Sequence, residues 1–355
     1  MGDLKVFKNQ VGSFTGWFLA VLILLCAVSA TGTCQIQVSP IAPKPPDAPE
    51  QWKNLIGVYA SLLDTVYIAE KDSQLFAVTK KLRYVNLKQD THVLYGFSQD
   101  RLFDDTALVF RWNETLRPNS LSIGPISFQR LILGNESGSS FRITPLKPVE
   151  ELRNIALLAA PPEEEGIFFK PDFVDLSTLD KTIKFDIRYA TTNNFVGEKF
   201  YTQAKAFLQR PAAEALLRAH LWLRQHGFGL LIHDAYRPWY VTKMFWDATP
   251  DDKKIFVANP SQGSRHNRGC AVDLTLYDFH TGRQVEMTGG YDEMSEQSYP
   301  TFPGGTSLER WHRNLLGQAM SMQGFTVYQF EWWHFDYNDW QKYPIGTKTF
   351  EELQQ

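Results

Sequence analysis

Cysteine is scarce in this chain of 355 residues: there are three, Cys26, Cys34 and Cys270. So few, so far apart, do not make a disulfide framework. An excess of one charge is missing as well. Thirty-six Lys and Arg face 39 Asp and Glu, a net charge of −3, which leaves no electrostatic footprint for nucleic acid. What is present is apolar and aromatic: 43% hydrophobic residues and 14% aromatics, enough for a sizeable core. The length alone suggests about two domains.

The N-terminus has its own pattern. Lys5 and Lys8 precede an uncharged stretch from Val11 to Thr33, most apolar from Trp17 to Ala30. Residues 1–33 therefore read as a secretory signal, with Val28-Ser-Ala30 as an acceptable cleavage site. The rival reading is an uncleaved anchor, since the stretch is long enough to span a bilayer. Thr31-Gly-Thr33 is a poor lipobox for Cys34 and argues against a lipoprotein. The expectation is an exported protein in a bacterial periplasm, touching membrane only through this segment. Five prolines between Pro40 and Pro49 mark 34–50 as an extended linker.

Residues 51–160 read as an accessory all-β domain. The runs Val58-Tyr-Ala-Ser-Leu-Leu63, Val66-Tyr-Ile-Ala69, Leu75-Phe-Ala-Val78, Leu82-Arg-Tyr-Val85, His92-Val-Leu-Tyr95, Ala107-Leu-Val-Phe110 and Phe128-Gln-Arg-Leu-Ile132 are strand-like and separated by turn residues. Their even spacing predicts an antiparallel sheet or small barrel. The stretch resembles, loosely, β accessory domains appended to some penicillin-recognising hydrolases. His92 is its only histidine, and it holds no catalytic cluster. Pro161-Pro-Glu-Glu-Glu165 makes a boundary to a second domain, 161–355.

That second domain alternates helices with mostly antiparallel strands, an α+β pattern. Pro211 to Gln225 predicts a helix, with Pro211 at its start and Gly227 past its end. Leu308 to Met322 predicts another, stopped near Gly324. His220 and His226 are expected on a helix surface, and His280 and His312 in solvent. Leu230-Leu-Ile232 is a short strand leading to Asp234.

Two stretches carry chemistry: Ser264-Arg-His-Asn-Arg-Gly-Cys-Ala-Val-Asp273 and Glu331-Trp-Trp-His334. They offer two imidazoles and two carboxylates. Three protein ligands plus an open position suit a hydrolytic zinc, and a fourth group nearby can act as general base. His266, Asp273 and His334 make the ligand set, and Glu331 the base. Ala271 to Tyr277 alternates as a strand with Asp273 on its polar side. His266 lies in the preceding loop, where Gly269 lets the backbone turn. Phe325 to Tyr337 reads as one or two strands. Glu331 and His334 differ by an odd number, so a flat strand would send them to opposite faces. A bulge, or a strand that starts after Glu331, is required.

The first stretch resembles the SxHxxGxAxD signature of zinc D,D-peptidases, and the second the ExWH element that closes the same site. Asp186-Ile-Arg-Tyr-Ala-Thr-Thr-Asn-Asn-Phe-Val-Gly197, Asp234-Ala-Tyr-Arg-Pro238 and Met287 to Glu296 resemble segments of the D-alanyl-D-alanine dipeptidases of the vancomycin-resistance type. The resemblance covers roughly Leu179 to Tyr343. It implies the D,D-peptidase zinc fold, one zinc on His266, Asp273 and His334, Glu331 as catalytic base and Arg237 on the tetrahedral intermediate. It also implies that Tyr189 and Asp292 hold a substrate's free amino terminus and that Ser264 sits near its carboxylate. The implied substrate is a short D-amino-acid peptide, D-Ala-D-Ala or a relative, in peptidoglycan metabolism. The alternatives are a D,D-carboxypeptidase trimming longer stem peptides and a non-catalytic wall-binding protein. Arg265 departs from the small polar residue expected before the first histidine, and is expected to face solvent.

Overall fold

The chain builds a closed β-barrel and then an antiparallel sheet flanked by helices. A computed structural model describes residues 40–62, 64–79, 84–90, 93–97, 107–113, 116–133 and 141–354. The N-terminal segment 1–33, Cys26, Cys34 and His92 lie outside the described residues. Among those described, no helix is long and apolar enough to cross a membrane.

A four-residue helix, α1 (Glu50–Lys53), leads into the barrel. Its strands are β1 (Gly57–Ala60), β2 (Thr65–Lys71), β3 (Gln74–Thr79), β4 (Tyr84–Asp90), β5 (Val93–Phe97), β6 (Ala107–Arg111), β7 (Ser120–Ile123) and β8 (Ile126–Leu131). Each pairs antiparallel with its neighbour in sequence, and β8 returns to β1. Strand β7, Ser120-Leu-Ser-Ile123, escaped the sequence reading because alternate serines dilute its apolar signal. Closure abolishes sheet edges. Period-two alternation turns Tyr59, Ile68, Leu75, Leu108 and Leu121 inward, where they fill the interior.

Two further features bear on the barrel. On β2, Val66 and Ile68 point inward, yet the outward-facing Tyr67 and Ala69 are buried too. Phe302, from far along the chain, covers them. Past β8 the 51–160 stretch continues into a helix. Helix α2 (Val149–Leu158) packs on α4 (Trp239–Ala248) of the second domain. Arg153 on α2 donates to the carbonyls of Lys199 and Phe200. Its apolar residues Val149, Leu152 and Ala156 recur at helical spacing, a signal that was readable.

The second domain centres on a five-stranded sheet. Its strands are β10 (Lys184–Phe185), β12 (Phe228–Asp234), β13 (Ala271–Asp278), β15 (Glu331–Tyr337) and β14 (Phe325–Tyr328), in that spatial order. All pairs are antiparallel except β10 with β12. A two-stranded ribbon joins β9 (Phe173–Asp175) to β11 (Phe207–Gln209). Helices α3 (Arg210–Gln225) and α5 (Ser307–Ser321) pack against each other and the sheet. A short α6 (Phe350–Leu353) ends the described chain.

Both expectations of solvated helical histidines need correction, except at His226, which is exposed. His220 is fully buried on α3, bonded to Thr182 Oγ1 at 2.8 Å and accepting from Leu230 N at 3.2 Å. Burial lowers its pKa to about 4. His312 is buried on α5, with Nδ1 3.0 Å from the Glu286 carbonyl. Both neutral rings pack as flat apolar bodies, and helical periodicity alone does not say which face is covered.

Candidate active site

Strand register builds the site. Asp234 on β12 stands opposite Asp273 on β13, and Asp273 stands opposite His334 on β15. Directly opposed residues point to the same face with close Cβ atoms, so these three form one cross-strand row. The odd spacing of Glu331 and His334 is resolved between β14 and β15. Val327 pairs with Phe335, but the next residue, Tyr328, pairs with Glu331. The irregularity takes up three residues of β15, and both side chains reach one cleft, with Glu331 Oε2 3.9 Å from His334 Nδ1.

The turn before β13 supplies His266. Gly269 there has φ +66°, and a Cβ on it would lie 2.4 Å from the Phe173 ring. Ser264 Oγ accepts from His266 N at 3.2 Å, and Ser264 N donates to Asn267 Oδ1 at 2.7 Å. Ser264 thus shapes the turn while lining the cleft.

Tautomers follow from fixed acceptors. His266 Nδ1 lies 2.6 Å from the Ala235 carbonyl, which can only accept. His334 Nε2 lies 2.8 Å from Asp336 Oδ1. Both nitrogens donate outward, as ligating histidines do to their carbonyl or carboxylate partners. The remaining lone pairs, His266 Nε2 and His334 Nδ1, face each other at 3.1 Å. Asp273 Oδ1 sits 3.3 Å from the first and 2.9 Å from the second. Donor atoms of all three residues lie within 4.8 Å of one another, and all three residues are buried. Two lone pairs and a buried carboxylate converging on one point repel unless a cation lies between them. The residues fit a metal ion with two nitrogen ligands and one oxygen.

Around that point the electrostatics are lopsided. Arg237 is buried and held by Asp234 Oδ2, accepting from Nε at 3.0 Å and Nη2 at 2.8 Å. Tyr201 OH donates to the same carboxylate at 2.7 Å. Arg237 also stacks over Phe245 and Tyr189, 4.7 and 5.2 Å from the ring centres. Asp273, Asp292 and Glu331 share this cleft, and among the described residues Arg237 is the buried arginine that lines it. Burial, reinforced by Asp273 and opposed by His334 and Arg237, pushes the Glu331 carboxyl up to about 7. Burial, then Asp273 and Glu331, push the Asp292 carboxyl well above its usual range. Tyr189 OH donates to Asp292 at 3.0 and 3.1 Å. Asp292 itself has φ +57°, a left-handed conformation that Asp tolerates better than most residues.

Sequence comparison matches residues 170–352 to the M15 peptidase family, described as D-Ala-D-Ala dipeptidase. The chain belongs to this family. Similar proteins include the D-alanyl-D-alanine dipeptidase of Escherichia coli (strain K12), 36% identical over 179 residues, spanning 50% of this chain and 91% of that one. The enzymes of that name from Enterococcus faecalis and Streptomyces coelicolor are each 33% identical. They span 48% and 46% of this chain, and 94% and 90% of their own. None of these matches spans more than about half of this chain.

In this M15 metallopeptidase the structure brings together all eight residues singled out from sequence: Tyr189, Arg237, Ser264, His266, Asp273, Asp292, Glu331 and His334 all line one cleft. Tyr189 meets Asp292 directly. Arg265, expected to face solvent, keeps 42% of its side chain exposed while it leans over Trp340, 4.9 Å from its ring, with Nε 3.6 Å from Asp336, and also lines the cleft. Sequence reasoning missed the supporting residues: Asp234 and Tyr201 behind Arg237, and Asp336 behind His334. It also missed Tyr291, whose hydroxyl donates to Asp273 Oδ2 at 3.0 Å. Tyr291 lies between Trp333 and the buried ring of His233. Burial, with Arg188 nearby, lowers the His233 pKa to about 4, so that ring is neutral. Adjacency to Asp292 in the sequence was the one available hint for Tyr291.

Loss of a hydrogen bond to a ligating carboxylate typically weakens metal binding about 10–100-fold. Tyr291→Phe is expected to do so while the protein stays folded, read by competition with a chelator of known affinity. Parent-like affinity would mean that the hydroxyl does not tune Asp273.

Proposed function

We propose that this metallopeptidase hydrolyses D-Ala-D-Ala, with zinc held by His266, Asp273 and His334. When bound, the ion supplies Lewis acidity at the scissile carbonyl and acidifies water. Glu331 accepts the proton of the attacking water and returns it to the leaving amine. Arg237, fixed by Asp234, donates to the oxygen that gains charge in the tetrahedral intermediate. Ser264 lies toward the substrate carboxylate. Asp292, oriented by Tyr189, takes the substrate ammonium.

The observation that carries the choice of a dipeptide is Asp292, a carboxylate lining the catalytic cleft while the nearby Arg237 is already tied to Asp234. Two positive charges from the metal and one from an ammonium would balance Asp273, Asp292 and Glu331. A blocked or extended amino terminus supplies no such charge at that place. Incubation of the zinc-loaded protein with D-Ala-D-Ala, N-acetyl-D-Ala-D-Ala and a pentapeptide stem tests this by release of free D-Ala. Equal turnover of all three would replace the dipeptidase with a carboxypeptidase trimming stems. The ligand set has its own test. His334→Ala should lose the metal by elemental analysis, and full zinc content would remove His334 from it. The N-terminal apolar stretch supports action outside the cytoplasm, on peptides from the cell wall, and cell fractionation tests that.

A further inference from the structure

The outward face of barrel strand β2 is buried against the segment that carries Asp292. Tyr67 packs edge-on against Phe302 with ring centres 5.5 Å apart. Its hydroxyl donates to the Glu296 carboxylate. Three residues on, Glu70 N donates to the Gly305 carbonyl at 3.1 Å, and the Glu70 carboxylate accepts from Ser307 N at 2.7 Å. A barrel acid therefore caps the first turn of α5, where a negative charge is favoured. Arg310 closes the joint by donating to the Glu70 carbonyl.

Between these anchors and the cleft the chain is a closed loop. A Cβ on Gly289 would lie 2.8 Å from the Gln297 carbonyl oxygen, so the two arms touch. Glu293, buried within, accepts from Gly290 N at 2.8 Å and from Ser295 Oγ at 2.5 Å. Tyr291 and Asp292 sit at the tip. Glu296, four residues beyond Asp292, is the point that Tyr67 grips. On the other side Arg313 of α5 donates to Thr288 Oγ1 at 3.2 Å and to the Phe302 carbonyl at 2.9 Å. The loop is thus held from two sides, and one of them is the barrel.

We infer that in this chain the barrel steadies the clamp for a free amino terminus, with Tyr67 and Glu296 as positioning residues that hold Asp292 against the substrate ammonium. This rests on the dipeptidase reading above. A charge pair depends steeply on geometry, and a displacement of about 1 Å from a remote change can cost up to about 100-fold. Tyr67 and Glu296 are neither converging metal donors nor part of the cleft lining, so proton transfer is left alone.

The test uses the full chain. Tyr67→Phe keeps the ring on Phe302 and removes only the hydroxyl. Glu296→Ala removes the acceptor of the same bond from the loop side, so a defect in barrel folding cannot mimic it. Each variant is expected to raise KM for D-Ala-D-Ala about tenfold, with kcat within twofold of the parent and zinc content unchanged. On an Asp292→Asn background neither should raise KM further. A merely structural role would instead lower kcat and melting temperature together and would add to Asp292→Asn. If Tyr67→Phe does not fold, Glu296→Ala carries the same expectation. Parent KM in folded Glu296→Ala, or full additivity with Asp292→Asn, overturns the inference. Absence of D-Ala-D-Ala turnover in the parent would instead overturn the dipeptidase reading on which it rests.

Discussion

Glu331→Gln keeps its metal and its fold and loses roughly 10²–10⁴-fold in kcat, the usual cost of removing a positioned proton carrier. Gln has the same shape and cannot accept a proton. Glu331 is not among the three converging metal donors, so zinc content should match the parent by elemental analysis. Near-parent kcat in the zinc-loaded variant would remove Glu331 from the base role. The pH profile gives a second reading. As the proposed base, Glu331 would work ionised, and burial has raised its carboxyl to about 7. Parent kcat/KM should therefore fall as pH drops through and below neutrality. A bound dication favours the ionised form, so the midpoint of that limb should lie at or below about 7. In Glu331→Gln the limb attributable to this group should vanish.

Asp292→Asn should be the next largest effect. The substitution keeps an acceptor for Tyr189 and removes the charge that meets the ammonium. Truncating one partner of a hydrogen-bonded charge pair typically costs about 2–5 kcal/mol when it is buried. Asp292 is only half-buried before substrate arrives, which points to the lower end. That is roughly 30-fold in kcat/KM. The loss should fall on KM rather than kcat, because the ammonium is bound equally in ground and transition states. It should also shrink the preference for free over N-acetylated dipeptide. Parent KM in the variant would make Asp292 a solvated turn residue and undo the amine-clamp reading.

Much of the site was legible because its residue types are chemically constrained. Two histidines and two carboxylates in two short stretches pointed to a metal site, and the resemblance of those stretches to zinc D,D-peptidase motifs strengthened that reading. The supporting residues were not legible. Asp336 is an ordinary acid two residues after a histidine, and Tyr291 an ordinary aromatic in a turn. Each acquires a role only through a partner far along the chain or across a strand.

Local patterning by itself determined the strand carrying Asp273, the helices at 210–225 and 307–321 and most of the barrel strands. Periodicity, caps and turn residues act within a few positions, so a sequence displays them directly. Tertiary structure alone decided the register that aligns Asp234, Asp273 and His334, and the irregularity that turns Glu331 into the same cleft. It alone buried His220 and His312 and set α2 against α4. It alone laid Phe302 over the outside of β2, so that a barrel expected as a separate unit grips the loop of Asp292. Those outcomes depend on which surfaces meet, and contacts between residues more than two hundred positions apart leave no trace in either local sequence.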